Sequence, residues 1–294
     1  MGAPSASAQG AILMMASMAS FTLNDACMKA LSDELPLFQA IFLRGIATTV
    51  LMFGLARALG GLRFLWPARE WRLIGLRTLT EIGAAYFFIS ALFNMPIANA
   101  TAILQVLPLA ITLAGAVFLG EAVGWRRWTA ILVGFSGVML IVRPGFEGFN
   151  AYSVNVLMAV VMVTARDLLA RRLSPEVPTI LVAFVNAVAV MVVFGIGAAF
   201  TDWAPVSTTA ALQLGGASVL IIGGYVFSVS AMRVGEIAVI APFRYTALLW
   251  ALVLGLVVFA EFPDGLTLVG AAIVVATGIY TFYRERRLAW AAAG

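Results

Sequence analysis

The hexapeptide LSDELP at positions 31–36 returns as LSPEVP at positions 173–178, an offset of 142 residues (173 minus 31). Other residues match at this offset, and a second set matches at an offset of 140. The pairs at 142 are Thr22 with Thr164, Asp25 with Asp167, Lys29 with Arg171 and Phe42 with Phe184; those at 140 include Gly115 with Gly255, Val117 with Val257 and Glu121 with Glu261. Self-similarity at a fixed offset indicates an internal repeat. We predict a first repeat over residues 1–145 and a second over residues 146–294.

The composition favours a lipid environment for both repeats. Of the 294 residues, 63% are hydrophobic and 11% are charged, and the mean hydropathy is +1.03. Soluble domains carry about 25% charged residues, so this chain lacks the charge to cover a water-exposed surface. Its 27 glycines also suit helices that pack closely within a bilayer.

Ten apolar segments are long enough to cross a bilayer, whose hydrocarbon core of about 30 Å requires roughly 20 residues of α-helix. They cover residues 9–30, 36–57, 73–93, 97–119, 127–143, 152–172, 178–200, 211–232, 237–259 and 265–283. The connections between them are short. We therefore predict an all-α integral membrane protein without a separate soluble domain.

The positive-inside rule predicts the orientation of these segments. With the N-terminus inside, the outer connections hold only Lys29 and Arg143. The inner connections hold fourteen basic residues: Arg57, Arg63, Arg69, Arg72, Arg77, Arg126, Arg127, Arg166, Arg171, Arg172, Arg233, Arg284, Arg286 and Arg287. Both termini are therefore predicted to face the cytoplasm. Because each repeat has five helices, the second repeat is inverted relative to the first, an arrangement typical of secondary transporters.

Several motifs occur in the two repeats. They are Glu121 at the end of one span, GVMLIVRPG at 137–145, APFRYTALLWALVLGLVVFAE at 241–261, the Gly270/Gly278 pair in the last span and Arg44 early in the second. Together they resemble the drug/metabolite transporter superfamily in its EamA branch, over essentially the whole chain. Within that branch the sequence is most similar to bacterial amino-acid exporters of the aromatic amino-acid exporter type. The resemblance implies a central cavity lined by helices 1, 3, 4, 6, 8 and 9, with helices 5 and 10 peripheral.

From the inverted repeat and this resemblance we expect a secondary transporter in the bacterial inner membrane. It would export amino acids and related small metabolites by alternating access, with protons as a candidate coupling ion. The alternative is an uptake or exchange carrier for S-adenosylmethionine or a nucleotide-sugar, although phosphorylated cargo would require more intramembrane basic residues than Arg44 and Arg244. A channel is a further alternative.

Residue types on which many enzymes depend are missing from the chain. It has no histidine and one cysteine, Cys27, so we expect no metal site, no disulfide and no cofactor. Its single lysine, Lys29, lies outside any G-x-x-x-x-G-K-[ST] phosphate-binding loop. The basic residues lie in short connections between spans, a distribution that indicates topology and not nucleic-acid binding. We expect no enzymatic activity.

Ionisable residues inside spans are costly and are therefore candidates for function. Asp25 and Lys29, near the outer end of helix 1, have an i,i+4 spacing. Asp167 and Arg171, near the inner end of helix 6, have the same spacing. We predict that these pairs mark the outer and inner gate regions; the alternative is that each is an ordinary ion pair at the membrane surface.

Glu81 in helix 3 and Arg244 in helix 9 lie about eight and about seven residues from the inner starts of their spans, and therefore at the same depth. Either they face the cavity and pair across it, or Glu81 is neutralised by Arg77, four residues earlier. A titrating Glu81 could couple proton movement to transport.

Polar and aromatic residues near the middle of the spans complete the predicted cavity. Gln105 in helix 4 matches Tyr245 in helix 9 at the offset of 140. The other candidates are Tyr86, Asn99, Thr101, Tyr225 and Trp250. Such a lining suits a small zwitterion, with hydrogen bonds for its charged groups and aromatic surface for the remainder. The alternative is that these side chains only pack or bond neighbouring helices.

Two prolines lie inside predicted spans, Pro108 in helix 4 and Pro242 in helix 9. Proline removes a backbone donor and clashes with the preceding turn. We predict a kink at each position that serves as a hinge; a static bend is the alternative.

Overall fold

The computed structural model describes residues 6–60, 64–120, 124–144, 150–234 and 240–293, without the side chains of 6, 7, 127 and 284–293. Some sequence predictions fall outside this part of the chain. They concern Arg63, Glu121, Gly145, the first residues of the segment 237–259, and the side chains of Arg127, Arg284, Arg286 and Arg287.

The described residues form α-helices and one short 3₁₀ helix, with no strand among them. The α-helices are α1 (Ala6–Lys29), α2 (Leu37–Ala58), α3 (Ala68–Asn94), α4 (Ile97–Leu104), α5 (Leu107–Leu119), α6 (Trp125–Val142), α7 (Tyr152–Ala170), α8 (Thr179–Ala198), α9 (Thr208–Val234), α10 (Thr246–Phe259) and α11 (Gly265–Ala293). The 3₁₀ helix, Ala241–Tyr245, directly precedes α10.

Nine helical stretches of the described chain are long and apolar enough to cross a membrane, and the shorter Trp128–Val142 is also apolar. They coincide with the ten predicted segments, so the prediction of an all-helical, multi-span protein is confirmed. The structure begins α3 at Ala68 and extends α11 to Ala293, beyond the predicted spans. The sequence signal stops earlier because charged turns continue a helix past its apolar stretch.

The helices form two compact units. Unit 1 comprises Met1–Leu23, Met95–Ser153 and Gly223–Gly294, and unit 2 comprises Asn24–Asn94 and Val154–Ile222. Helices α1 and α9 each contribute to both units. Each unit therefore contains helices from both predicted repeats.

In unit 1, α6 and α11 pack with their backbones in close contact. A Cβ atom on Gly137 would lie 2.8 Å from the Gly270 carbonyl oxygen, and a Cβ atom on Gly270 would lie 2.5 Å from the Gly137 carbonyl oxygen. Neither distance allows a side chain without backbone movement. Small residues permit this close approach, which dispersion forces stabilise in a membrane.

A charged cap joins the adjoining ends of α6 and α11. Helix α6 ends at Arg143, which adopts a left-handed backbone conformation with φ of 49°. The Asp264 carboxylate accepts a hydrogen bond from the backbone N–H of Thr267 at 2.9 Å, and it also pairs with the Arg143 guanidinium. These contacts, first the Thr267 N–H and then Arg143, hold the pKa of Asp264 below its ordinary value.

In unit 2, α2 and α8 are the corresponding closely packed pair. A Cβ atom on Gly45 would lie 3.0 Å from the Met191 Cα atom, and one on Gly195 would lie 2.7 Å from the Phe42 ring. The third helix of this unit, α3, joins α8 through Thr78, whose hydroxyl donates to Asn186 Oδ1 at 2.5 Å. Interhelical hydrogen bonds of this kind satisfy polar groups that lipid cannot.

The LSDELP connection of unit 2 is bonded to the segment that leads into α9. The Gln39 side-chain amide donates to the Ala204 carbonyl oxygen at 2.7 Å and accepts from the Ala204 N–H at 2.9 Å. The Ser207 hydroxyl donates to Glu34 Oε2 at 2.7 Å. A connection of the first predicted repeat is thus bonded to the third helix of the second.

The LSPEVP connection makes the reciprocal contact with the start of α3. Glu70 Oε2 accepts from the backbone N–H of Ser174 at 3.0 Å, while Glu70 Oε1 pairs with Arg69 at 3.0 Å. Ile74 packs with Val177 and Val182 beside these polar contacts. A connection of the second predicted repeat is thus bonded to the third helix of the first.

The close contact between α6 and α11 predicts that Gly270→Ala destabilises the purified protein by about 1–3 kcal/mol, because overpacking forces backbone movement. The matched control is Gly54→Ala in α2, where an added Cβ atom meets nothing within 4 Å. Thermal unfolding in detergent measures both variants. An equal unfolding temperature for the two would contradict the packing assigned to Gly270.

The lowered pKa of Asp264 predicts a pH-dependent contribution to stability. A depressed carboxyl pKa stabilises the folded state above the unfolded value of about 4 and loses this effect as the pH falls through the lower folded value. Wild type is therefore expected to unfold at a higher temperature than Asp264→Asn at neutral pH. The difference should disappear in acid; a constant difference across the titration would contradict the assignment.

Candidate functional site

In two spans of unit 1 the α-helix changes to a tighter turn, and both tighter turns lie beside a proline. Helix α4 ends at Leu104, and α5 resumes at Leu107 with Pro108 in its first turn. The 3₁₀ helix Ala241–Tyr245 contains Pro242 and passes into α10 at Thr246. The helix geometry therefore changes beside both prolines; the predicted kinks and their service as hinges remain predictions.

The short helix α4 carries three of the predicted cavity residues. Thr101 and Gln105 are buried, and Gln105 lies at the interruption itself. Asn99 is partly buried, and its Oδ1 atom is fully enclosed without a hydrogen-bond donor among the described residues. A buried amide oxygen that lacks a donor is costly, so Asn99 could accept a hydrogen bond from a solute or from water.

Tyr245 matches Gln105 in the repeat, and the structure places it against α11. Its ring packs edge-on against Phe282 with centroids 6.4 Å apart. Its hydroxyl occupies the space where a side chain on Gly278 would lie. That hydroxyl is also buried without a hydrogen-bond partner in the described part of the protein. Gly278 is therefore required for the position of Tyr245.

The remaining predicted cavity residues of unit 1 lie on the exposed side of their segments. Trp250 and Tyr225 are each 41% exposed, and Arg244 is also exposed. The Tyr225 ring packs edge-on against Phe21 with centroids 5.2 Å apart. Their exposed surfaces can contact a solute or a lipid chain.

In unit 2, Glu81 and Asp167 share one arginine. Arg166 Nη1 lies 3.2 Å from Glu81 Oε2, and Arg166 Nε lies 2.9 Å from Asp167 Oδ1. The guanidinium thus links α3 to α7 and balances one of the two negative charges. The sequence analysis offered Arg244 or Arg77 as the partner of Glu81, and neither alternative included Arg166. Tyr86, also on α3, is 37% exposed and packs against Phe38.

Asp25 belongs to a hydrogen-bonded chain that joins α1 to α2. The Asn24 side-chain N–H donates to Asp25 Oδ1 at 2.9 Å, and Asn24 Oδ1 accepts from Arg44 Nη1 at 3.3 Å. Arg44 and Asn24 are both buried. The Asp25 carboxylate is therefore connected to a guanidinium through a neutral amide.

The other two predicted gate residues, Lys29 and Arg171, differ in burial and in their contacts. Lys29 is buried, and its Nζ atom lies 3.5 Å from the Leu92 carbonyl oxygen. Arg171 is exposed at the end of α7, where its backbone N–H donates to the Asp167 carbonyl oxygen at 3.2 Å. Two polar contacts within helical spans were not predicted: Thr78 with Asn186, and Asn155 with Ser90 at 3.1 Å.

Sequence reasoning missed Arg166 and Asn24 as partners of the acids. Arg166 was assigned to an inner connection because it lies near the end of a span, and Asn24 carries no charge. The available signal was their position, since each directly precedes a repeat-related aspartate. Within the described chain, no group of three acidic or cysteine side chains could hold a metal ion.

Comparisons with known proteins identify the class. The model of the EamA-like transporter family matches residues 8–143. A riboflavin transporter of Vibrio cholerae is 30% identical over 207 residues, covering 70% of this chain and 68% of the relative. An S-adenosylmethionine uptake transporter of Rickettsia conorii is 27% identical over 274 residues, covering 92% and 91%. A pseudopaline exporter of Pseudomonas aeruginosa is 27% identical over 276 residues, covering 90% and 93%.

One solved crystal structure has the same fold, with a TM-score of 0.68 and 21% identity; the match covers 95% of this chain and 98% of that one. The helical spans and these relatives define a multi-pass membrane transporter. The chain belongs to the EamA-like transporter family. The relatives carry chemically different small molecules, so the predicted amino-acid cargo is a separate question.

The shared guanidinium predicts the effect of removing Arg166. Arg166→Met leaves Glu81 and Asp167 without their cation and should destabilise the protein by roughly 3 kcal/mol, as expected for a mostly buried ion pair that loses one partner. Neutralising all three residues together, with Glu81→Gln and Asp167→Asn, should restore most of the loss. Arg72→Met is the control at an exposed site, and thermal unfolding measures each variant. A triple variant no more stable than Arg166→Met would contradict the shared pairing.

Proposed function

We propose that this protein is a secondary transporter that moves amino acids or amino-acid-containing metabolites across the bacterial inner membrane by alternating access. The observation that carries the proposal is the pair of interrupted spans, α4–α5 and the 3₁₀ helix with α10. Discontinuous helices are typical of transporter sites near the membrane midplane. Asn99 and Gln105 lie at or near one interruption, and Tyr245 lies at the other.

The repeats 1–145 and 146–294 are proposed to be inverted copies, and three pairs of contacts support this. The interruption at Gln105 has its equivalent at Tyr245, 140 residues later. The LSDELP and LSPEVP connections bond the third helix of the opposite repeat. Contacts at corresponding places in the two repeats are what an internal two-fold relationship requires.

A glycine contact supplies the third pair. In unit 2, a Cβ atom on Gly83 would lie 3.1 Å from Met162 Sδ. In unit 1, a Cβ atom on Gly223 would lie 3.9 Å from Ser20 Oγ. Gly83 and Gly223 differ by 140 positions, and Ser20 and Met162 differ by 142. The third helix of each repeat thus places a glycine against the first helix of the other repeat. The positive-inside rule gives the proposed cytoplasmic location of the termini.

The substrate class follows from the polar groups and from the relatives. Amides and hydroxyls predominate among the candidate residues, and they can bond an ammonium or a carboxylate without a fixed charge of their own. S-adenosylmethionine contains an α-amino acid group, and several relatives of about 24–27% identity are named for its uptake. Export of amino acids and uptake of S-adenosylmethionine would therefore both depend on recognition of the same α-amino acid group. We favour an α-amino acid group as the common feature of the cargo.

Counterflow in proteoliposomes tests this proposal. Vesicles are loaded with unlabelled S-adenosylmethionine or with one of a panel of amino acids, and entry of the same labelled compound is followed. Saturable uptake that requires the internal compound is expected, because a carrier returns faster when it is loaded. Flux without saturation or counterflow would indicate a channel, and exchange of riboflavin alone would reject the amino-acid group as the recognised feature.

A further inference from the structure

We propose that Asp25 is the proton-binding carboxyl through which a transmembrane pH difference drives this carrier. The inference rests on the proposed function, since it assumes a secondary transporter. It adds the identity of the coupling group, which differs from the Glu81 suggested by sequence reasoning.

Acids within the described spans differ in their direct partners. Three of them contact a guanidinium: Glu70 with Arg69 at 3.0 Å, and Glu81 and Asp167 with Arg166 at 3.2 and 2.9 Å. Arginine keeps its positive charge at all relevant pH values, so each of these contacts is a charge-assisted hydrogen bond. These three carboxylates are therefore fixed in ion pairs, which Asp25 is not.

Asp25 instead accepts its hydrogen bond from the neutral Asn24 amide. Arg44 donates to the oxygen atom of the same amide, so its positive charge acts on Asp25 across the Asn24 side chain. Burial favours the protonated form of an intramembrane acid, while a nearby cation favours the ionised form. Both protonation states are therefore accessible to Asp25.

The groups around Asp25 contain no second acid that could take over this role. The charged or titratable side chains around it in the described structure are Arg44 on α2 and, on α1 itself, Cys27 and Lys29. Lys29 is buried one turn further on, against the Leu92 carbonyl oxygen. Where α9 approaches this end of α1, the contact beside Cys27 is Gly216, which has no side chain to titrate.

The internal repeat provides a natural comparison for Asp25. At the offset of 142, Asn24-Asp25 matches Arg166-Asp167. The second repeat therefore has an arginine where the first has an asparagine, and that arginine pairs directly with its aspartate. One exchanged side chain thus gives the second aspartate a direct cationic partner and the first a neutral amide.

Proton binding at Asp25 would change the contact between α1 and α2. A protonated carboxyl can donate to Asn24 Oδ1, the atom that accepts from Arg44 in this structure. Protonation also removes the negative charge that attracts Arg44 at this end of α1, which weakens the connection between the two helices. The proton enters from water on one side and leaves to water on the other, with no covalent bond to carbon formed or broken.

Transport driven by a pH step tests the assignment. With one coupled proton, a step of about one pH unit can support an accumulation ratio of up to about tenfold. Wild type should accumulate labelled S-adenosylmethionine, or the amino acid that exchanges, to a ratio well above one. Asp25→Asn should reach a ratio of about one, because an amide cannot carry the proton.

Two variants control for the loss of charge and for the rival acid. Asp33→Asn removes the same charge at an exposed site in the following connection and should retain the wild-type ratio. Glu81→Gln should still accumulate substrate in response to the pH step, to an extent that matches its own rate of counterflow. A pH response that survives in Asp25→Asn, or is lost only in Glu81→Gln, overturns the proposal.

A measurement without substrate tests proton binding at Asp25 independently of the transport assay. Infrared spectra of the purified protein, recorded from about pH 5 to about pH 9 around the neutral range, should contain a protonated carboxyl C=O band that titrates. The band should be missing in Asp25→Asn and present in Asp33→Asn. Its absence from wild type, or its persistence in Asp25→Asn, rejects Asp25 even if no tested compound is exchanged. Failure of counterflow with the band intact rejects the cargo and leaves the proton site standing.

Discussion

The absence of water from the bilayer core is the constraint on which this structure depends. Every backbone polar group there must be bonded within the protein, and every charge needs a partner. Long helices satisfy the first requirement, and the paired side chains of unit 2 satisfy the second. Two kinds of exception are therefore informative. The helix geometry changes at Gln105 and Tyr245. The side-chain oxygen atoms of Asn99 and Tyr245 are enclosed without a hydrogen-bond partner in the described structure, which costs free energy. Such exceptions are common at sites that bind a solute.

Close packing has a different basis here from that in a soluble protein. Because lipid is as apolar as leucine, helices gain little by hiding apolar surface from it. The α6–α11 and α2–α8 contacts use glycine to bring backbones and rings together, which favours dispersion contacts. This leaves the large apolar side chains, such as Phe200 and Phe118, on the outside. Exposed hydrophobic residues, which would be a liability in water, form the surface that lipid contacts.

Much of the fold could be predicted from the sequence, because span length and proline position act locally. The ten segments and the interruptions beside Pro108 and Pro242 all follow from residues within one or two turns. The partner of Glu81 could not be predicted in this way, since it depends on which helix lies beside α3 and how that helix is rotated. The internal repeat relates Asp25 to Asp167 by their positions in the sequence. It did not reveal that their preceding residues, Asn24 and Arg166, would give the two acids different partners.

Helix α6 has a consequence for the surrounding membrane. Its 18 residues correspond to about 27 Å at 1.5 Å per residue, shorter than a hydrocarbon core of about 30 Å. Trp125 and Trp128 are exposed at one end, where aromatic rings favour the lipid headgroup region, and Arg143 fixes the other end. Lipid beside α6 must therefore thin locally or the helix must remain nearly upright. Bilayer thickness therefore matters most beside α6, and membranes with shorter acyl chains match the length of this helix best.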